Sequence, residues 1–91
     1  MSAPSQAVGV RAVVEVLARA LTDRPDEVRV KESQHKGTTL IELFVGSGEL
    51  GRVIGRQGRT AAALRTLAVS AGEKEGKSVT LEIRDAPYKE G

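Results

Sequence analysis

The sequence contains no cysteine and no tryptophan, and its only aromatic residues are Phe44 and Tyr88. Without a thiol the chain cannot form a disulfide, use a cysteine nucleophile or hold zinc through thiolates. Two aromatic rings are also too few for the stacking surface of an RRM or the base stacks of an OB-fold. These absences exclude several common catalytic and RNA-binding designs.

Long hydrophobic runs are absent as well. The N-terminal segment MSAPSQ carries no basic residue, and the apolar stretch that follows it is interrupted by Arg11, Glu15 and Arg19. This pattern predicts neither a signal peptide nor a transmembrane helix, so we expect a cytoplasmic protein without membrane insertion. The length of 91 residues predicts a single domain over residues 1–91.

Positive charge is concentrated in one segment, although the net charge is only +2. Residues 51–72 contain four arginines and no acidic residue, so this segment carries +4 and the rest of the chain carries +2 minus 4, or −2. A phosphate backbone would be attracted there. A solvated helix face is the alternative explanation. The arginines are Arg52, Arg56, Arg59 and Arg65.

The same segment contains the tetrapeptide Gly55-Arg56-Gln57-Gly58, which follows the apolar residues Val53 and Ile54. Glycine at both ends of a two-residue turn allows a phosphodiester to approach the main chain. A helix that begins after the turn would direct free N–H groups toward the same place. The pattern therefore predicts a phosphate-binding turn.

Hydrophobic periodicity predicts six elements in the order αββααβ. Two helices between the second and third strands are sufficient for a crossover to a parallel neighbour. Ser47 is a candidate N-cap and Gly72 a candidate C-cap. The predicted elements are a helix at 6–22, strands at 27–33 and 38–45, helices at 47–54 and 59–71, and a strand at 78–84, followed by a tail at 85–91.

The first predicted helix has an unusually wide apolar arc. Its expected core face consists of apolar residues at helical spacing, and Val16 widens this arc beyond one packed face. Either the core wraps around this helix or part of it contacts another chain. The third predicted helix has one apolar face. The two expected core faces are Val10, Val13, Val14, Leu17 and Leu21, and Leu64, Leu67, Ala68 and Ala71.

A second glycine motif overlaps the first. Gly46-Ser47-Gly48-Glu49-Leu50-Gly51 fits G-x-G-x-x-G, and Glu73 follows near the spacing of a ribose-binding acid in a dinucleotide fold. However, the glycines at 51, 55 and 58 would interrupt the long helix that such a fold requires. A dinucleotide enzyme is therefore a remote alternative, and we expect no cofactor.

The element order, with Val53-Ile54-Gly55-Arg56-Gln57-Gly58 between two helices, resembles a type II KH domain. This resemblance covers nearly the whole chain and implies an α+β fold with a three-stranded mixed sheet and helices on one face. The chain length, the segment Gly51 to Thr60 and the segment Ala63-Leu64-Arg65-Thr66-Leu67 resemble the small bacterial stand-alone KH proteins of the KhpA family.

Membership of that family implies a non-enzymatic, cytoplasmic protein that binds single-stranded RNA as an RNA chaperone or post-transcriptional regulator. It also implies a homodimer, a larger KH-containing partner called KhpB, and a link to cell-wall growth and cell shape. By resemblance, the glycines bring the backbone to phosphate, and Arg56 and Gln57 contact the RNA. The expected RNA-binding residues are Arg52, Val53, Ile54, Gly55, Arg56, Gln57, Gly58, Arg59 and Arg65.

Other candidate residues have simpler explanations. His35 has no neighbouring histidine or cysteine, so we expect an exposed loop residue and no metal. Glu73 and Glu75 are expected in a charged loop. Leu40 and Phe44 should face away from the helices, covered by the tail at 86–88 or by a partner. A protein-interaction subunit that keeps the KH scaffold therefore remains an alternative to RNA binding.

Overall fold

A computed structural model describes residues 9–85 of the chain, and its elements follow the expected order αββααβ. Single 3-10 turns lie at Pro25–Glu27 and Arg56–Gly58. Residues 6–8 of the predicted first helix and the tail beyond residue 85 lie outside the described residues. The helices are α1 (Val10–Leu21), α2 (Leu50–Ile54) and α3 (Arg59–Lys74); the strands are β1 (Arg29–His35), β2 (Thr38–Phe44) and β3 (Ser78–Arg84).

The three strands form one mixed sheet in the order β1-β2-β3. β1 is antiparallel to β2, with Arg29 opposite Phe44 and His35 opposite Thr38. β3 is parallel to β2, with Thr38 opposite Ser78 and Phe44 opposite Arg84. The helices α2 and α3 form the crossover between these parallel neighbours. The mixed sheet and the crossover expected from the sequence are therefore confirmed.

β1 and β2 are joined by a turn of only two residues, Lys36 and Gly37. Their φ angles of 51° and 83° are both left-handed, as in a type I′ hairpin turn. Because the turn is this short, the first strand continues to His35. The strand starts at Arg29, two residues later than the predicted position 27. Pro25 begins a 3-10 turn that ends at Glu27, and this turn occupies the start of the predicted strand.

The hydrophobic core lies between the sheet and the helices, which cover one sheet face. The β2 side chains that point toward the helices are all buried, whereas Leu40 and Phe44 on the opposite face are only partly buried. This alternation is the expected one for a sheet with one covered face. The core includes Val10, Val14, Ala18, Val28, Ile41, Leu43, Val45, Val53, Leu64, Ala68, Val79 and Leu81.

The core face of α1 is narrower than the sequence predicted. Val10, Val14 and Ala18, spaced by four, are buried, whereas Leu21 at the helix end is 37% exposed. Val16 is 66% exposed. The core therefore does not wrap around α1, and the surplus apolar surface of this helix faces outward.

The two crossover helices also differ from their predicted limits. α2 begins at Leu50, three residues after the predicted start, and Glu49 takes the N-cap position instead of Ser47. α3 continues through Gly72 to Lys74, and Gly72 lies inside the helix, buried against the Val79 side chain, so it does not cap the helix. Leu67, predicted in the core face of α3, is 48% exposed.

Candidate nucleic-acid interface

The turn between α2 and α3 depends on Gly55. Its backbone has φ 76° and ψ 174°, a combination that is essentially restricted to glycine. A Cβ at this position would also collide with the Thr60 side chain. The Gly55 N–H donates to the Gly51 carbonyl at 2.9 Å, and the Gly58 N–H donates to the Gly55 carbonyl at 3.2 Å. Gly55 therefore permits both the sharp turn and the close contact.

The tip of the turn is left-handed at two consecutive residues. Gln57 has φ 58° and ψ 23°, and Gly58 has φ 73° and ψ 13°. Positive φ is uncommon for a residue with a side chain, and such residues occur frequently at binding sites. The Arg59 guanidinium donates to the Gln57 side-chain oxygen at 2.8 Å. Both side chains are exposed at the loop surface.

Three of the four clustered arginines have no acidic partner among residues 9–85. Arg56 and Arg65 form no ion pair there, and Arg59 contacts only the neutral Gln57. Arg52, in contrast, lies 2.8 Å from the Asp23 carboxylate and 3.9 Å from that of Glu49. The free positive charge therefore lies at the turn and on α3, and Arg52 is largely neutralised.

The carboxylate of Glu49 joins the start of α2 to the end of α1. It accepts hydrogen bonds from the Thr22 hydroxyl and from the Asp23 N–H, the latter at 2.7 Å. These two hydrogen bonds, together with the nearby guanidinium of Arg52, hold the pKa of Glu49 below its ordinary value. The network fixes the short helix that leads into the glycine turn.

Val53 and Ile54 lie immediately before the turn and occupy different environments. Val53 is completely buried in the core, whereas Ile54 is half-buried. Val53 therefore supports the turn from the core side and has no exposed surface that a ligand could touch. This placement agrees with a supporting role and removes Val53 from the set of contact residues.

A groove runs between α3 and β3. Its first part is an open cavity of about 460 Å³, and its second part, of about 380 Å³, shares Val69 with the first. Val69 is 38% exposed and contributes apolar surface to both parts. The first part is lined by Arg65, Val69, Thr80, Leu81, Glu82 and Ile83, and the second by Val69, Glu73, Gly76, Lys77, Ser78 and Val79.

The groove follows the free edge of β3. In the order β1-β2-β3, β3 is hydrogen-bonded to β2 and has no second neighbouring strand among residues 9–85. Its other side presents backbone N–H and C=O groups that no strand in the described part of the chain satisfies. Four consecutive β3 residues line the groove, which places the groove at the strand edge and not over one sheet face. The groove thus combines an apolar α3 side with a polar backbone side.

The residues of β3 and Val69 were not among the predicted site residues. The sequence did contain a signal for Val69, because it lies four residues after Arg65 and therefore on the same face of the helix. β3 could have been found from the crossover, which returns the chain to an edge of the sheet. The predicted site thus included the turn and only one residue of the groove, Arg65.

The overlapping G-x-G-x-x-G motif does not form a dinucleotide site. The helix that follows it, α2, has only five residues and ends at the second glycine turn. The carboxylate of Glu49 stands at its start, where a bound pyrophosphate would require positive charge. Glu73 lies in the last turn of α3. These features argue against the dinucleotide alternative suggested by the motif.

Residues 9–85 show no metal site and no membrane-spanning helix. No group of three metal-ligating side chains occurs there, and none of the helices in this range has the length and apolarity to cross a membrane. His35 is the last residue of β1 and is exposed. It belongs to the strand and not to the hairpin link, which differs from the predicted position.

Comparison with known sequences identifies close relatives. The family model described as KhpA/KhpB, KH domain, matches residues 11–83. RNA-binding protein KhpA of Aquifex aeolicus is 52% identical over 71 residues, which cover 78% of this chain and 90% of the relative. RNA-binding protein KhpA of Halalkalibacterium halodurans is 45% identical over 76 residues, which cover 84% of this chain and all of the relative.

Solved structures show the same fold in a larger protein. Era in complex with MgGDPNP and nucleotides 1506–1542 of 16S ribosomal RNA matches with a TM-score of 0.62 and 23% identity. This match covers 86% of this chain and only 30% of that chain. A single-residue variant of Aquifex aeolicus Era bound to GDP·AlF4⁻ matches with a TM-score of 0.56 and 18% identity, and this match covers 86% of this chain and 31% of that chain. The fold is therefore a type II KH domain, and the chain belongs to the KhpA/KhpB KH-domain family.

Proposed function

We propose that the protein binds single-stranded RNA through the glycine turn and the groove between α3 and β3. One observation carries the proposal: among residues 9–85, Arg56 and Arg59 at the glycine turn and Arg65 in the groove have no acidic partner, and the groove offers apolar surface beside the edge of β3. The relatives are named RNA-binding protein KhpA. The function is binding, and the protein is not an enzyme.

The two halves of the site suit the two parts of a nucleotide. Arg56, Arg59 and the backbone at Gly55 and Gly58 can hold phosphates, because they combine positive charge with close access to the main chain. Arg65 lies six residues after Arg59, about 9 Å along α3, where it extends the positive charge to the groove. The groove is an appropriate place for bases.

Bases would contact both sides of the groove. The exposed surface of Val69 and the half-buried Ile83 offer apolar contact, and the free edge of β3 offers hydrogen-bond donors and acceptors to base edges. A KH groove clamps four backbone nucleotides. Gln57 would contact the RNA from the tip, whereas Arg52, tied to Asp23, contributes little.

A site with few phosphate contacts should bind and release RNA rapidly. This behaviour fits an RNA chaperone or post-transcriptional regulator acting in the cytoplasm. Through the resemblance to its family, we extend the proposal to a role in cell-wall growth and cell shape. Sequencing of RNA crosslinked to the protein in cells tests this role, since transcripts for cell-wall enzymes should be enriched.

The central test compares two variants with the same change in charge. Arg56→Asp with Gln57→Asp places negative charge at the turn and should abolish most binding of a fluorescent single-stranded RNA at low salt. His35→Asp with Lys36→Asp changes the charge equally at exposed positions of the hairpin end and should leave most of the binding intact. Equal affinity of the two variants would exclude the turn as the RNA site.

A second function, assembly with another protein chain, is favoured by one specific observation. Val16 on α1 is 66% exposed, and it is the most exposed large apolar residue in the described part of the chain. We propose a homodimer that covers this surface, and the family also suggests a heteromer with the larger KhpB. Val14, on the core face of the same helix, is buried and cannot take part.

A further inference from the structure

The α3 side of the groove changes in charge along its length. Arg65, Val69 and Glu73 are spaced by four residues and all line the groove. The order along the helix is therefore basic, apolar and acidic, and about 12 Å separates the first position from the last. At this distance, salt screens most of the interaction between the two charged side chains.

The Glu73 carboxylate has no partner among residues 9–85. It forms neither a hydrogen bond nor an ion pair there, although the Lys77 ammonium lines the same part of the groove. Lys77 is held by two other carboxylates, those of Glu32 at 3.6 Å and Glu75 at 3.3 Å. This end of the groove is therefore negative, and it should repel phosphate and attract hydrogen-bond donors on a base.

The bases differ in the donors that they offer to a carboxylate. Guanine presents two adjacent donors, N1–H and the 2-amino group, which match the two oxygens of a carboxylate in a bidentate arrangement. Adenine and cytosine present one amino group beside an acceptor nitrogen. Uracil presents one N–H between two carbonyl acceptors. A carboxylate therefore favours guanine over the other three bases.

We propose that Glu73 selects guanine at the position of the groove nearest Lys77. The inference rests on the proposed binding of RNA in this groove and adds a base preference to it. Bidentate contacts of this kind discriminate between bases by about 5-fold to 150-fold. Because Glu73 is exposed, we expect the lower end of this range.

The test uses inosine, which keeps N1–H but lacks the 2-amino group of guanine. Oligoadenylate with one internal guanosine is compared with the same oligonucleotide carrying inosine, with the substituted position moved along the strand. The wild-type protein should bind the guanosine form about 5-fold more tightly at one position. Glu73→Gln and Glu73→Ala should both reduce this ratio to nearly one while the protein stays folded by circular dichroism.

Asp26→Asn is the matched control, because it removes one exposed carboxylate outside the groove. It should retain the preference for guanosine. A wild-type protein without this preference, or Glu73 variants that keep it, would overturn the inference while leaving RNA binding at the turn intact. Failure of the wild-type protein to bind any of the oligonucleotides would instead overturn the proposed function itself.

Discussion

The Glu49 carboxylate accepts a hydrogen bond from the Thr22 hydroxyl across 27 positions of sequence. It also accepts the Asp23 N–H at 2.7 Å, while Arg52 on the next turn of α2 pairs with the Asp23 carboxylate at 2.8 Å. α2 and its N-cap residue thus supply a basic and an acidic side chain that bind residues at the end of α1. The orientation of α2, and with it the direction in which the glycine turn points, depends on these contacts.

Glu49→Gln should lower the free energy of unfolding at neutral pH and weaken its decrease as the pH falls. The folded pKa of Glu49 is lowered, chiefly by the Thr22 hydroxyl. Its contribution to stability is therefore fully present above the unfolded-state pKa of about 4.3 and is lost as the pH falls through the lower folded pKa. Urea denaturation of the wild type and the variant from pH 6 to pH 3 should show converging stabilities.

Gly55→Ala should lower the stability of the protein, whereas Gly51→Ala, four residues earlier, should raise it. At Gly55 the alanine meets Thr60 and adopts a glycine-only conformation, at a cost of about 1–3 kcal/mol. At Gly51, inside α2, nothing lies within 4 Å of the added Cβ, so about 0.4–1 kcal/mol of stabilisation is expected. Thermal denaturation distinguishes them, and two equal losses of stability would contradict the described turn.

Arg65→Ala and Arg52→Ala should separate RNA binding from stability. Arg65 has no acidic partner within residues 9–85, so its loss should weaken RNA binding and reduce the salt slope of log K by about 0.7 with little change in melting temperature. Arg52 is paired with Asp23 and Glu49, so its loss should cost up to about 1 kcal/mol of stability and leave the slope nearly unchanged. The reverse outcome would show that Arg52 releases Asp23 to bind phosphate.

Val16→Glu tests the proposed dimer surface. Burial of Val16 in a pair would stabilise association by roughly 1.5 kcal/mol or more for each copy, and a buried glutamate would prevent it. Sedimentation equilibrium should give a dimer for the wild type and a 9.6 kDa monomer for the variant. Leu67→Glu on α3 is the comparison, because Leu67 is 48% exposed on another helix. A dimer lost only with Leu67→Glu would move the interface to α3.

The parts of the fold that depend on local pattern were predicted well. β3 has the predicted limits, because Val79, Leu81 and Ile83 alternate with polar residues and the strand follows a short charged connection. The glycine turn was also located correctly, since its glycines are needed for local backbone geometry. In both cases, the information lies within a few neighbouring residues.

The parts that depend on distant partners were predicted poorly. Ser47 is a better N-cap by type than Glu49, but Glu49 is fixed by Thr22 and Asp23 at the end of α1. In the sequence Arg52 cannot be distinguished from the other clustered arginines, because its partner Asp23 is distant in sequence and is adjacent only in the fold. The exposure of Leu67 likewise depends on where the other elements pack and not on helical spacing.

The free edge of β3 also affects how the protein behaves without its ligand. An uncovered strand edge can pair with a strand from another molecule, which is a common start of aggregation. The β3 sequence alternates polar residues with apolar ones, and Glu82 and Arg84 place charges near its end. RNA in the groove would cover the remaining edge. Removal of nucleic acid during purification should therefore lower the solubility of the protein, most of all at high salt, where these charges are screened.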